Sequence, residues 1–367
     1  MKKLSLVLMI LVLSLSVFAH GAAEQQMQSS DYYRATDANG RTLLLKEKPT
    51  SIMVAGKAAV MPANALFLFP EVETMELQLS KTDQGLGDFF SLLRPSLDDQ
   101  PRFAQNASVE EIASKNPQLV LLKATHYESI AKKLDQLGVP NFTMNLETYA
   151  QWQREITELG KLLKNTSRAN EILSTYESRL KNITDKVRSL PQEEKLRVLL
   201  LQGVSSDNTN SFKIAPDSWM QSWMVEQVGA DAVWKGANTA SSGWSTVSFE
   251  QIAAWDPQVI YIVSYKTPTD LYIEDIYSSS LWGGLDAVKN NHVKAAPADV
   301  MSYIQPVSSW ILGVEWMAKD LYPHLFPTLD MERQVRSFYT EMYSITDPGK
   351  LDYLVGRFNA SLALNNR

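Results

Sequence analysis

The chain has 367 residues, 45% of them apolar and 21% charged, with a net charge of −6 and no cysteine. That length suffices for about two domains with dry cores, and the composition is that of a globular protein. Lack of cysteine removes disulfide scaffolds, thiol nucleophiles, thiolate metal sites and cysteine-linked lipid, and the acidic balance excludes the basic footprint of a nucleic-acid binder.

Lys2 and Lys3 precede an uncharged run at 4–18, too short to cross a ~30 Å hydrocarbon core comfortably. Followed by small residues at Ala19 and at 21–23, residues 1–22 read as a cleaved secretory signal. The expected compartment is the periplasm, without a lipid anchor.

From residue 50 onward, short apolar runs alternate with helical patterns. Strands are predicted at 51–55, 75–79, 119–122 and 138–143, with a helix at 128–137. This is the arithmetic of an α/β lobe, assigned to residues 23–150. The period then changes. Apolar residues such as Ile172, Tyr176, Leu180, Ile183 and Val187 recur every three or four positions, with no proline between Pro140 and Pro191. The pattern predicts a helical linker over 151–190. Its main helix, at 168–189 and capped by Thr166 or Ser167, would be about 33 Å long. After Pro191 the α/β pattern restarts, with strands at 196–201 and 259–263 and a polar loop at 203–210. Residues 191–330 are read as a second lobe and 331–367 as a helical tail.

Two segments align without gaps at an offset of 140 residues, 108–120 and 248–260, with six of thirteen positions identical. Each begins with a serine N-cap, Ser108 or Ser248, followed three residues later by Glu111 or Gln251, the capping-box spacing. Each helix stops before a proline that feeds a buried strand. The repeat predicts two similar α/β lobes with central, mainly parallel sheets, joined by one long backbone helix, with a ligand cleft between them. Glu110 and Glu250 occupy matching second helical positions. The helix dipole alone favours a carboxylate there by ~0.3–1 kcal/mol, but a matched pair also suits a two-fold symmetric partner.

Four stretches carry a resemblance. They are 107–120, 244–260, 285–293 and the Trp-containing 310–323. In this order the chain resembles the helical-backbone (class III) substrate-binding proteins of bacterial ABC importers, of the iron–siderophore, haem and cobalamin type. The resemblance implies a clamp-like monomer, not an enzyme, that needs no cofactor or resident metal. Such a protein captures a chelated-iron type ligand between its lobes and delivers it to a dimeric permease in the inner membrane. It also implies that Glu110 and Glu250 dock on permease arginines.

Loops after the carboxyl ends of strands should line the cleft. They nominate Lys57, Gln84, His126 and Tyr127 in the first lobe, and Phe212, Lys213, Trp244, Tyr265 and the stretch 303–310, above all Tyr303 and Trp310, in the second. Flat rings with polar tips suit large conjugated ligands, and the lysines and His126 suit negative charge. Ser309 stands where many relatives carry an arginine before the tryptophan, which removes one fixed bidentate clamp for an anion. The alternative ligand is an oxyanion, molybdate or tungstate, met by lysines and by serines such as Ser205, Ser206, Ser241 and Ser242. A free-metal binder is disfavoured because His126, His292 and His324 lack metal-ligand spacing. An enzyme is disfavoured by the absence of nucleophile-elbow, phosphate-loop and dinucleotide motifs.

Overall fold

The computed structural model describes residues 33–366 except 83, 207–208 and 241–242. The signal-like segment, Ser241 and Ser242 lie outside the described residues. A hairpin of β1 (Tyr33–Thr36) and β2 (Thr42–Leu45) opens the fold. The first lobe follows, with β3 (Ser51–Ala55), β4 (Glu76–Leu79), β5 (Leu119–Lys123) and β6 (Asn141–Met144) in the order β4-β3-β5-β6, all parallel. Helices cover both faces, so β3 and β5 are buried almost throughout and read as unbroken apolar runs.

The second lobe holds β7 (Arg197–Ser206), β8 (Thr209–Ile214), β9 (Asp231–Ala232), β10 (Ser245–Thr246), β11 (Val259–Val263) and β12 (Val293–Ala295). Its sheet runs β10-β8-β7-β11-β12, with β9 on the early part of β7. The β11 and β12 pairings are parallel, whereas β8 and β10 pair antiparallel. The stretch expected as a polar loop at 203–210 instead prolongs β7 into a hairpin with β8. Its alternating exposure satisfies one solvated face of an antiparallel pair.

The 140-residue repeat is structural. Helices Val109–Ser114 and Phe249–Trp255 are both capped by serine, with Ser108 Oγ accepting from Glu111 N and Ser248 Oγ from Gln251 N. Both end at a left-handed residue, Asn116 or Asp256, and lead into a central strand, β5 or β11. Only the serine half of each expected capping box forms; the complete reciprocal box occurs at Thr148 and Gln151.

The linker is two helices, Tyr149–Leu162 and Thr166–Val187. The second is capped by Asn165, whose side chain accepts from Arg168 N, in place of Thr166 or Ser167. This backbone helix is fastened to both lobes. Near its start Arg168 donates to the Leu68 carbonyl of the first lobe at 3.0 Å. At its middle, Tyr176 donates to the Ser308 carbonyl at 2.6 Å. Arg179 then forms a buried, bidentate pair with Glu315, at 2.9 and 2.8 Å. Burial works against the Arg179 charge, but Glu315 outweighs it and leaves the guanidinium more basic than usual.

The C-terminal helices Met331–Tyr343 and Pro348–Ser361 touch both lobes. Phe89 of the first lobe packs on Tyr339 and Tyr343, and Lys350 donates to the Leu92 carbonyl at 2.9 Å. The segment expected as a tail is therefore a second strap across the molecule.

Glu315→Ala should leave Arg179 buried without its counter-charge. The expected cost is about 3–5 kcal/mol, a large share of a typical 5–15 kcal/mol stability. Urea unfolding of the variant checks it; an unchanged midpoint would contradict the role given to the pair.

Candidate functional site

Each parallel strand ends at the junction between lobes, and the chain that follows it turns toward the other lobe. After β3 comes a tight turn, in which Gly56 (φ +86°) and Ala58 (φ +56°) are left-handed and Lys57 stands between them. A side chain at Gly56 is excluded twice, by φ and by the His126 ring, which a Cβ would meet at 2.8 Å. After β4 comes the loop carrying Thr82 and Gln84, after β6 comes Glu147, and after β11 come Tyr265 and Lys266.

These residues line an interlobe cavity of about 450 Å³ together with Met61, Gln105, Gln202, Trp219, Gln221, Trp244 and Gln305. Its walls are of two kinds. Trp219 and Trp244 meet edge-to-face at 6.0 Å, with Tyr265 beyond Trp244 at 6.4 Å, and form an aromatic side. Five glutamines, 84, 105, 202, 221 and 305, supply neutral amides, each able to donate and accept. The Tyr265 hydroxyl donates to the Ile304 carbonyl at 2.9 Å. Burial pushes its phenol pKa up, against an opposing contribution from the Gln221 amide.

The lobes touch around this cavity. Gln84 and Gln305 form a reciprocal amide pair at 2.8 and 3.2 Å. Gly85 N donates to the Tyr265 carbonyl at 3.1 Å, and Arg357 donates to the Leu86 carbonyl. Three successive residues of one loop thus bond across the cleft. Gly85 permits this, because a Cβ there would lie 2.4 Å from the Lys266 carbonyl oxygen. On the far side of the loop lies a second cavity of about 440 Å³, walled by the C-terminal strap. Its three serine hydroxyls accept local backbone bonds: Ser264 from Thr267 N, Ser302 from Ile304 N and Ser361 from Ala298 N. The first cavity is the better ligand site.

Of the residues nominated from sequence, Lys57, Gln84, Trp244 and Tyr265 line the cavity. Six of those named singly do not, Phe212 among them. His126 sits behind the lining, its Nε2 3.2 Å from the Lys57 carbonyl, and supports the Lys57 turn. Tyr127 packs under Arg41, 5.1 Å from its guanidinium, against the small core of the first lobe. Lys213 lies on β8 directly across from the lining residue Gln202, but outside the cavity wall. Tyr303 is fully buried, its hydroxyl donating to Asp299 at 2.8 Å and its ring stacked on Phe358. Trp310 is fully buried among Tyr149, Trp152, Tyr176 and Trp223. Both were nominated as aromatic surfaces for a ligand, and packing claims them instead. Ser309, also buried, begins the helix Trp310–Leu321.

Gln305 falls within the stretch 303–310 selected from the sequence, whereas Met61, Gln105, Glu147, Gln202, Trp219 and Gln221 were not singled out. Glu147 and Gln202 follow predicted strands, so the strand-end rule points to them; the other four lie in loops and helices that the chain pattern leaves undivided. Among the described residues no cluster of three or more metal-ligating side chains occurs.

Residues 103–300 match the family profile described as periplasmic binding protein. The chain belongs to the periplasmic binding protein family. It is 24% identical over 286 residues to the molybdate-binding protein MolA of Haemophilus influenzae, covering 72% of this chain and 78% of that one. It is 25% identical over 216 residues to the Fe(3+)-citrate-binding protein YfmC of Bacillus subtilis, covering 59% and 64%. A crystal structure of a periplasmic solute binding protein from Veillonella parvula superimposes with a TM-score of 0.68 at 22% identity, over 91% of this chain and 98% of that one. This periplasmic binding protein is accordingly a non-enzymatic, extracytoplasmic component of an ABC import system, which binds a small molecule and delivers it to a permease.

Burial holds the His126 pKa below its ordinary 6.5, and the Lys57 charge adds to the effect. The unfolded chain therefore binds the proton more readily than the folded one. Stability from this residue is complete above 6.5 and is lost as pH falls through the lowered folded value. His126→Gln should lose less stability than the wild type between about pH 7.5 and pH 5, measured as urea midpoints; equal losses would contradict it.

Proposed function

We propose that this periplasmic binding protein captures a chelated-iron type ligand, a ferric siderophore, haem or corrinoid, in the cavity between its lobes. The observation that carries the reading is the lining itself: an aromatic side facing a set of neutral amides in about 450 Å³. That volume falls within the ~300–1,000 Å³ of pockets that enclose organic ligands. A four-oxygen anion would fill a small part of it. The second reading, molybdate or tungstate, is favoured by the MolA likeness and by Lys57 and Lys266 at the cavity wall. Of the serines expected to hold an oxyanion, Ser205 and Ser206 are exposed on β7 and do not line the cavity, and Ser241 and Ser242 lie outside the described residues. We propose Lys57, Gln84, Trp244 and Tyr265 as ligand contacts, the periplasm as the compartment, and a monomer as the working form.

Trp219 and Trp244 provide the assay. Titration of the purified protein with ferric siderophores, haemin, cobalamin and molybdate should change tryptophan fluorescence saturably for a chelate and leave it unchanged for molybdate. A response to molybdate alone would overturn the reading.

Glu110 and Glu250 support a docking proposal. Both are exposed and sit in the first turn of matching helices in the two lobes. The backbone N–H of Glu250 itself, with the Ser248 hydroxyl, holds its carboxyl below the ordinary range and hence charged. Replacing both glutamates by alanine should abolish stimulation of the permease ATPase in proteoliposomes and leave ligand affinity intact. A fall in affinity with stimulation preserved is the contrary outcome.

A further inference from the structure

Two atoms of the cavity wall lack hydrogen-bond partners, and both are acceptors. Glu147 is 7% exposed and Gln221 is 1% exposed. Both line the interlobe cavity, and Glu147 Oε2 and Gln221 Oε1 are buried with no donor among the described residues. They belong to different lobes but are held close, because Met220 N donates to the Glu147 carbonyl at 2.7 Å.

The other oxygen of Glu147 is committed. Glu147 Oε1 pairs at 2.7 Å with the buried Lys123 ammonium. Lys123 is in turn fixed by the Asn145 carbonyl and by the Met61 sulfur at 3.1 Å. The charge of Glu147 is thus already matched, and what its second oxygen lacks is a hydrogen. Gln221 stands at the same junction: it lines the cavity, and its Oε1 is buried without a donor among the described residues.

We propose that the ligand of this protein turns a neutral N–H or O–H donor toward Glu147 Oε2 and Gln221 Oε1. This rests on the reading of the interlobe cavity as the ligand site, and it names the polar chemistry of the ligand. A buried acceptor left without a donor is penalised in the bound state, so a site of this kind rejects analogues that lack the donor more strongly than a hydrophobic pocket rejects a change of size. An oxyanion, which offers only acceptors, meets two lone pairs there. An organic chelate with amide or hydroxyl groups meets two partners.

Glu147→Gln inverts the demand: its carbonyl oxygen keeps the Lys123 contact and its NH₂ replaces Oε2. Gln221→Leu removes the second acceptor without touching Lys123, and it decides the question if the first variant does not fold. The probes are ferrioxamine B and ferrichrome, which carry amide N–H groups, and sodium molybdate, which carries none. Tryptophan fluorescence of the full protein reads affinity, and urea midpoints monitor folding. The wild type should bind at least one of the two chelates, and each folded variant should bind it about tenfold or more weakly. A chelate bound equally by wild type and variants would overturn the inference while the proposed function stands. It would mean that water satisfies both oxygens. A wild type that answers only molybdate would overturn the proposed function and this inference with it, and one that answers none of the three probes would overturn this inference.

Discussion

The fixed attachment of the backbone helix to both lobes is the constraint on which the rest of the structure depends. Twenty-two residues at 1.5 Å each span the molecule, but length alone would leave a hinge at either end. Arg168 removes it at the first lobe, bonding both Leu68 and the Met342 carbonyl of the C-terminal strap. Tyr176 and Arg179 remove it at the second, where Trp310 and Glu315 lie on one receiving helix. A charge pair buried this deeply gains little net stability over apolar packing, but it is costly to separate. It acts as a register pin: the helix cannot slide or roll without exposing an unpaired charge.

With the lobes held this way, large displacements between them are costly. The groups that would part first are the shortest-range ones, namely the Gln84–Gln305 amide pair, the Gly85–Tyr265 backbone bond and the Leu86–Arg357 contact. All three belong to one loop, and two of them involve residues of the cavity wall. The loop is light enough to move, since its hold on the second lobe is a few exposed or half-buried hydrogen bonds, each worth roughly 0.5–1.5 kcal/mol net. The aromatic junction around Trp310 is heavy enough to stay.

How much of this was legible in the sequence follows from which forces act locally. The central strands β3 and β11 were placed to the residue, because a strand buried on both faces is an unbroken apolar run between a proline or polar residue and a glycine or serine. The repeat located matching helices and strands, since a serine cap and a proline stop are local signals. Tyr303 and Trp310 were misjudged because an aromatic residue after a strand looks the same whether it faces a cleft or a core. Only the long-range partners, Asp299 and Phe358 for one and Tyr176 and Trp223 for the other, decide it. The β7–β8 hairpin was hidden because its polar alternation resembles a loop. Of the cavity wall, several residues next to strand ends were found. Those delivered by the meeting of the two lobes, Gln221 above all, have no signature within their own neighbourhood.

Recognition and closure share side chains in this cavity. An amide offers two donors and two acceptor lone pairs, and Gln84 and Gln305 each spend part of theirs on the other when the lobes meet. A ligand that shifts the molecule toward the closed state does so only through contacts it makes better there than in the open state. Contacts to Lys57 or Trp244 alone, each on a single lobe, are available to an open molecule and contribute affinity without closure. Contacts that reach Glu147 and Gln221 together join the two lobes, and so do contacts to the paired glutamines. Contacts to one lobe therefore set how tightly a ligand is first held, whereas contacts to pairs that only the fold brings together, Glu147 with Gln221 and Gln84 with Gln305, are the ones able to favour a closed arrangement of the lobes.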